Sequence, residues 1–198
     1  MSLHDYIMAL DLPIPPRDKL PVDLQEFFAL CDERLGFLPN VLAAYSNDLD
    51  QFRPFLDLYK ALMFGASGLT ELEREMIAVA VSSSNHCFYC LTAHGAAVRE
   101  QSGDPALGEL MVMNYRAADL PARQRAMLDF AVKLTERSHE VGEQDRQILR
   151  DLGFTEKDIW DIANIAGFYN MTNRLASATD MQPNPQYHGM HRGQSDRK

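Results

Sequence analysis

Residues 69–94 read LTELEREMIAVAVSSSNHCFYCLTAH, and this stretch decides the fold. Thr70 and Glu73 have the spacing of a capping box, in which the threonine hydroxyl accepts a first-turn amide and the glutamate reaches back to the start of the helix. The helix that follows is apolar on nearly every side over residues 76–81, which predicts that it is buried in the core. Glu75 is carried into that core with it.

Helix signals continue on both sides of this stretch. Apolar residues recur at a period near 3.6 in residues 22–35 and in several later segments. After the buried helix, either Ser84 or Asn85 can cap a second helix that runs to about residue 100. We also predict helices over residues 40–47, 50–64, 106–115, 122–138, 143–152 and 155–178. No segment alternates convincingly as a strand, so the predicted fold class is all-α, a helical bundle.

Length and composition predict one domain. A chain of 198 residues with 46% hydrophobic content can bury a sizeable core. We expect a single domain over residues 1–198, with its core at about 20–182 and a helical unit at about 69–100 that carries the chemistry. After Met181 the sequence turns polar, which predicts a flexible tail over about 183–198 unless it docks on a neighbouring subunit.

Charge and hydropathy exclude two classes of partner. The net charge of -9 argues against nucleic acid, because phosphate binding needs a basic surface. The longest apolar runs, such as residues 77–81, fall far short of the roughly 20 residues that span a bilayer. Residues 1–5 have neither the basic nor the apolar region of a signal peptide, and we therefore expect a cytoplasmic protein.

An internal similarity suggests a duplicated helical unit. Residues 69–81 and 120–132 share Leu, Arg, Met, Ala and Val at the same relative positions, although five matches in thirteen apolar-rich positions can also arise by chance. In the second copy Ala126 stands opposite Glu75 and Ser138 stands opposite Cys87. Chemistry is therefore expected in the first unit alone.

The cysteines indicate redox chemistry. Of three cysteines, Cys87 and Cys90 form a CxxC pair, which in a reducing compartment is catalytic or metal-binding rather than a structural bridge. At the start of a helix the two lie on one face within disulfide reach, and the positive helix end favours the thiolate. His94, one turn beyond Cys90, can accept its proton. Cys31, on an apolar face, is expected to be buried and inert.

Glu75 and the cysteine pair each allow a second interpretation. Glu75, drawn into an apolar setting, needs a proton or a partner, so it either relays protons to the cysteines or pairs with a nearby arginine. The cysteine pair with His94 could instead be part of a zinc site. Tetrahedral zinc needs a fourth ligand, and the remaining candidates, His188 and His191, lie in the predicted tail. We expect neither metal nor cofactor.

The motif resembles the signature of the alkylhydroperoxidase (AhpD-like) and carboxymuconolactone decarboxylase superfamily. The spacing Glu-x11-Cys-x2-Cys-x3-His is matched in full, within a run that also contains EREMIAVAVS at residues 73–82. Flanking pieces look like those of the peroxidase-related branch, and the resemblance covers roughly residues 20 to 185. These pieces are residues 35–40, Phe168-Tyr169-Asn170 and Asn173-Arg174.

The resemblance implies an AhpD-like fold and reduction of hydroperoxides without haem or metal. It implies that Cys90 is the thiolate that attacks the peroxide, and that Cys87 donates a proton and then closes the disulfide. His94 and Glu75 would form the proton relay. A dithiol reductant, such as a lipoyl or thioredoxin-like protein, would restore the thiols. Homo-oligomers, trimers or hexamers, are also implied, and 10 methionines and 10 phenylalanines favour a buried subunit interface.

One departure and two alternatives accompany this prediction. Well-studied hydroperoxidases of the group have a second histidine just before the second cysteine, where this chain has Tyr89, so the relay is expected to be shorter. A lactone decarboxylase on the same fold is one alternative, although such relatives typically lack the cysteine pair. The other is a non-enzymatic redox sensor or thiol oxidoreductase that uses the same CxxC.

Overall fold

The computed structural model describes residues 6–193 and contains nine α helices and no strand within that range. The all-α prediction is confirmed. None of these helices is both long enough and apolar enough to cross a membrane. Residues 1–5 and 194–198, on which the signal-peptide prediction and part of the tail prediction rest, lie outside the described residues. The helices are α1 Val22–Leu35, α2 Asn40–Tyr45, α3 Leu49–Phe64, α4 Glu71–Ser84, α5 Phe88–Ser102, α6 Pro105–Asn114, α7 Ala122–Glu136, α8 Glu143–Asp151 and α9 Glu156–Ala178.

Capping boxes open the two helices that form the middle of the bundle. At α4 the Thr70 hydroxyl accepts the Glu73 N–H at 3.1 Å, and the Glu73 carboxylate accepts the Thr70 N–H at 2.9 Å. Thr155 and Asp158 repeat the arrangement at α9. Each box satisfies amides that the first turn of a helix would leave without partners. The predicted start of α4 is therefore confirmed.

The end of α4 differs from the prediction. The helix closes in a Schellman motif, in which the Cys87 N–H donates to the Ser82 carbonyl at 3.0 Å and His86 takes a left-handed conformation with φ of 53°. Ser84 and Asn85 belong to the end of α4, so neither caps the next helix. Cys87 is itself the N-cap of α5.

The predicted buried helix, α4, lies at the centre of the main core. Its apolar residues Ile77, Val79 and Val81 have no exposed surface, which confirms that it is covered on nearly every side. Helices α5, α6, α7 and α9 all pack against it. Because α4 is enclosed in this way, Glu75 is buried with it.

Helices α1 to α3 form a smaller layer beside the main core. Phe28 and Phe52 are fully buried there, with ring centroids 6.0 Å apart. Tyr45 stacks on Phe55 at 4.0 Å, and Phe55 stacks in turn on Phe168 of α9 at 5.5 Å. This aromatic row joins the layer to the main core.

The polar segment after Met181 contacts the bundle at several points within the described residues. Asn184 is buried, and its side chain accepts the Asn40 N–H at 2.7 Å. The buried Arg99 guanidinium of α5 donates to the Tyr187 carbonyl at 2.9 Å. These contacts involve polar side chains together with the buried ring of Tyr187. The flexibility of residues 183–198 stays a prediction.

The duplicated unit stays a prediction. Helices α7 and α8 contain the second copy, and α8 spans only nine residues. Asp145 stands opposite His94 in the predicted duplication, and it forms an ion pair with Lys133 at 2.7 Å. The second copy thus lacks the groups that would allow redox chemistry.

Candidate active site

Helices α4 and α5 bring the predicted proton-handling residues into contact. The Nδ1 atom of His94 lies 2.7 Å from Oε2 of Glu75. Glu75 is buried, and the His94 side chain is only 16% exposed. Within residues 6–193 Glu75 makes no ion pair with an arginine, because the neighbouring Arg74 donates to backbone carbonyls such as that of Leu62. Of the two roles left open for Glu75, the structure therefore excludes the arginine pair.

The surroundings of Cys87 favour the thiolate. Hydrogen bonding with the Cys90 side chain is the largest influence that lowers the pKa of Cys87, although burial opposes it. The Cys90 backbone, the Ser177 side chain and the charge of His94 act in the same direction as Cys90.

Cys90 is the proton donor of the pair. Its hydrogen bond to Cys87, together with burial, raises the pKa of the Cys90 thiol well above its ordinary value. Hydrogen bonds from Asn173 and Ser82 act in the opposite direction. These opposite directions favour the thiolate at Cys87 over the thiolate at Cys90, while Asn173 and Ser82 would help to hold a Cys90 thiolate.

Asn173 belongs to a chain of side chains that the sequence did not assign to the site. Its amide nitrogen donates to the Ser82 hydroxyl at 2.9 Å, and its amide oxygen accepts from Asn85 at 2.9 Å. Because the Ser82 oxygen accepts this bond, its own hydrogen can point towards Cys90. In the sequence, Ser82 and Asn173 belong only to the stretches that carry the family resemblance. No short-range sequence signal indicates that α9 packs beside the cysteines.

A cavity of about 700 Å³ reaches the reactive groups. Cys90, His94 and Glu75 lie in its wall, while Cys87 does not. Most of the remaining wall is aromatic or aliphatic and includes Phe27, Tyr45, Phe55, Tyr59, Phe168 and Tyr169. A ligand in this cavity would meet Cys90 and the Glu75–His94 pair on a mainly apolar surface.

Cys31 lies in the wall of the same cavity and is half-buried rather than fully buried as predicted. Burial raises the pKa of its thiol, the direction that disfavours the reactive thiolate. The raised pKa is consistent with the expectation that the Cys31 thiol is inert. Its placement in the core was wrong, because α1 turns this position towards the cavity.

Tyr89 occupies the position of the second histidine. Its hydroxyl accepts the Val41 N–H at 2.9 Å, and burial raises its pKa well above the ordinary value for tyrosine. The side chain therefore stays a neutral phenol and cannot act as a base as a histidine does. The Tyr89 bond instead ties α5 to α2.

These groups have the elements of a dithiol redox site. Two thiols with oppositely shifted pKa values lie close together, the His94–Glu75 pair lies in the cavity wall with Cys90, and the cavity has room for a ligand. Within the described residues no group of three or more His, Cys, Asp or Glu side chains is arranged to hold a metal ion.

Comparison with known proteins identifies the family of this chain. Residues 50–106, which include all four predicted site residues, match the model of the carboxymuconolactone decarboxylase family. An uncharacterized peroxidase-related protein from Silicibacter sp. TM1040 is 57% identical, with 97% of this chain and 100% of that chain covered and a TM-score of 0.93. The chain belongs to the carboxymuconolactone decarboxylase (AhpD-like) family.

Two further solved structures resemble this AhpD-like protein. One is described as an alkylhydroperoxidase AhpD core, an uncharacterized peroxidase-related protein from Ralstonia eutropha JMP134. It is 42% identical over 96% of this chain and 99% of that chain, with a TM-score of 0.91. The debrominase Bmp8, in complex with 2,3,4-tribromopyrrole, is 20% identical over 96% and 97% of the two chains, with a TM-score of 0.76. It shares the fold. No curated protein matches the chain.

Proposed function

We propose that this AhpD-like protein is a thiol-dependent peroxidase that reduces organic hydroperoxides to alcohols. The observation that carries the proposal is the placement of Cys90 and the His94–Glu75 pair in the wall of one cavity. Cys87 lies next to Cys90 but outside the cavity wall. Peroxide reduction needs a thiolate, a proton source and a second thiol within reach. The peroxidase-related names of relatives at 57% and 42% identity point the same way.

The proposed cycle begins with the shared proton. It moves from Cys90 to Cys87, and the Cys90 thiolate, held by Asn173 and Ser82, attacks the terminal oxygen of ROOH. The O–O bond breaks, an S–O bond forms, and Cys90 becomes a sulfenic acid while RO⁻ leaves. The His94–Glu75 pair supplies the proton that converts RO⁻ into ROH.

The second half of the cycle closes and then reopens a disulfide. Cys87 gives its proton to the relay and attacks the Cys90 sulfenic acid, which forms the S–S bond and expels hydroxide. The relay then passes the proton to the hydroxide, and water is released. A dithiol protein of the lipoyl or thioredoxin type then reduces the disulfide and becomes oxidised itself. The net reaction converts ROOH and a dithiol into ROH, water and a disulfide. Cytoplasmic conditions would maintain such a reductant.

Consumption of cumene hydroperoxide, with dihydrolipoamide, a thioredoxin system or a small thiol as donor, tests the proposal. Wild type should complete many turnovers with at least one dithiol. Cys90→Ser should not react with peroxide, and Cys87→Ser should stop after one sulfenic acid that dimedone traps on Cys90. Wild type and variants are all made with Cys31→Ser in the background, so that a third thiol cannot react with peroxide or dimedone.

The possible outcomes separate the alternatives. One equivalent of peroxide consumed without turnover, whatever the donor, would indicate a redox sensor rather than an enzyme. A dimedone adduct on Cys87 in Cys90→Ser, with none on Cys90 in Cys87→Ser, would reverse the roles of the two cysteines. A wild-type protein that reacts with peroxide no faster than free cysteine would rule out the peroxidase and bring the decarboxylase-like alternative forward.

A further inference from the structure

The Tyr169 hydroxyl is a buried polar atom without a hydrogen-bond partner. Within residues 6–193 it is the one buried side-chain nitrogen or oxygen atom in this condition. Tyr169 lies on α9 in the middle of the bundle and is 2% exposed. A buried hydroxyl that makes no bond costs free energy, and such groups are rare in folded proteins. Phenylalanine would fill the same space without this cost, so packing alone does not explain the tyrosine.

Tyr169 stands beside the reactive groups. Its ring meets the His94 ring edge to face, with centroids 4.7 Å apart, and its side chain forms part of the cavity wall. Burial, followed by the negative charge of Glu75, raises the pKa of Tyr169 well above its ordinary value. The phenol therefore keeps its proton and can act only as a neutral hydrogen-bond partner.

We propose that the Tyr169 hydroxyl, which is enclosed in this structure, turns towards the bound substrate and donates a hydrogen bond to the oxygen that leaves with the organic group. This inference rests on the proposed peroxidase function. As the Cys90 thiolate attacks the terminal peroxide oxygen, negative charge develops on the RO oxygen. A hydrogen-bond donor at that point stabilises the transition state more than the ground state. The proton that finally makes ROH comes from the His94–Glu75 pair, and Tyr169 retains its own.

Tyr169→Phe tests the contact, with Tyr115→Phe as the matched control. Tyr115 is also buried, but its hydroxyl donates to Asp129 and it does not line the cavity. In single-turnover oxidation of the reduced protein by cumene hydroperoxide, Tyr169→Phe should react at least about tenfold more slowly. Its melting temperature should stay unchanged or rise, because an unbonded hydroxyl is lost. Tyr115→Phe should melt earlier and react at the wild-type rate.

The leaving group gives a readout that a structural role would not alter. Cumene hydroperoxide releases an alkoxide and peracetic acid releases a carboxylate, and the alkoxide needs the hydrogen bond more. Tyr169→Phe should therefore slow the reaction with cumene hydroperoxide more than the reaction with peracetic acid. The alcohol product, 2-phenyl-2-propanol, should bind Tyr169→Phe about three- to tenfold more weakly than wild type, the effect of one hydrogen bond. This binding measurement does not depend on turnover.

Each outcome decides the inference. Equal alcohol binding by wild type and Tyr169→Phe, or no alcohol binding by wild type, overturns the contact. Weaker binding with an unchanged oxidation rate, or equal slowing with both oxidants, overturns the role at the leaving oxygen. A wild type that binds the alcohol but does not react with peroxide refutes the peroxidase, while the difference in binding still decides whether Tyr169 touches the ligand.

Discussion

Removal of the Cys90 thiol should raise the pKa of Cys87. The Cys90 S–H is the largest of the influences that lower this pKa, and Cys90→Ala deletes it. A hydrogen bond to a charged group contributes about 1.5 to 3 kcal/mol, and one pKa unit corresponds to about 1.4 kcal/mol, so the pKa should rise by about one to two units. The backbone N–H of residue 90 and the Ser177 side chain remain, so Cys87 should still titrate below its ordinary value of 9.0.

Thiolate absorbance near 240 nm, followed against pH in the reduced protein, measures this change without any need for reagent access. The matched variant is Cys90→Ser, whose hydroxyl still donates and which should therefore raise the pKa of Cys87 less than alanine does. All proteins have Cys31→Ser in the background, since the raised pKa of Cys31 would overlap the upper part of the curve. A Cys90→Ala midpoint equal to or below that of wild type would refute the shared proton.

Three further results are expected. Glu75→Gln should lower peroxide turnover by about 10²-fold or more, because it removes the acid–base partner of His94. The control is Glu73→Gln on the same helix, which removes a capping contact. It should lower the melting temperature and leave the turnover rate per folded molecule unchanged. Phe52→Ala should lower the free energy of unfolding in urea by about 3 to 5 kcal/mol, because the ring is fully buried. Light scattering should give a multiple of 22.4 kDa, and a particle of 22.4 kDa at micromolar concentration would contradict the predicted oligomer.

The helices could be predicted because their signals are local. The capping box at Thr70 and the apolar period of α1 lie within one or two turns of the backbone that they control. The end of α4 could not be predicted in the same way. His86 adopts a left-handed conformation usually taken by glycine, and this moved the cap of α5 from Ser84 or Asn85 to Cys87.

The site could be predicted as far as the motif extends. Glu75 and His94 are 19 residues apart on consecutive helices, and their contact follows from the pairing of α4 with α5. Asn173 and Tyr169 come from α9, and their contribution depends on how that helix crosses α4 and α5. The contacts of Asn184 and Tyr187 could not be predicted for the same reason, because they join distant parts of the chain.

The two cysteines divide charge and access between them. Cys87 has the hydrogen bonds that favour a thiolate but does not reach the cavity, whereas Cys90 reaches the cavity but holds the proton. A resting Cys90 thiol is a weaker nucleophile than a thiolate, which limits its oxidation when no substrate occupies the cavity. Transfer of the proton to Cys87 moves the charge to the accessible sulfur, where Asn173 and Ser82 can hold it. The same transfer leaves Cys87 as a thiol until the sulfenic acid has formed, so the resolving step follows the attack rather than competing with it.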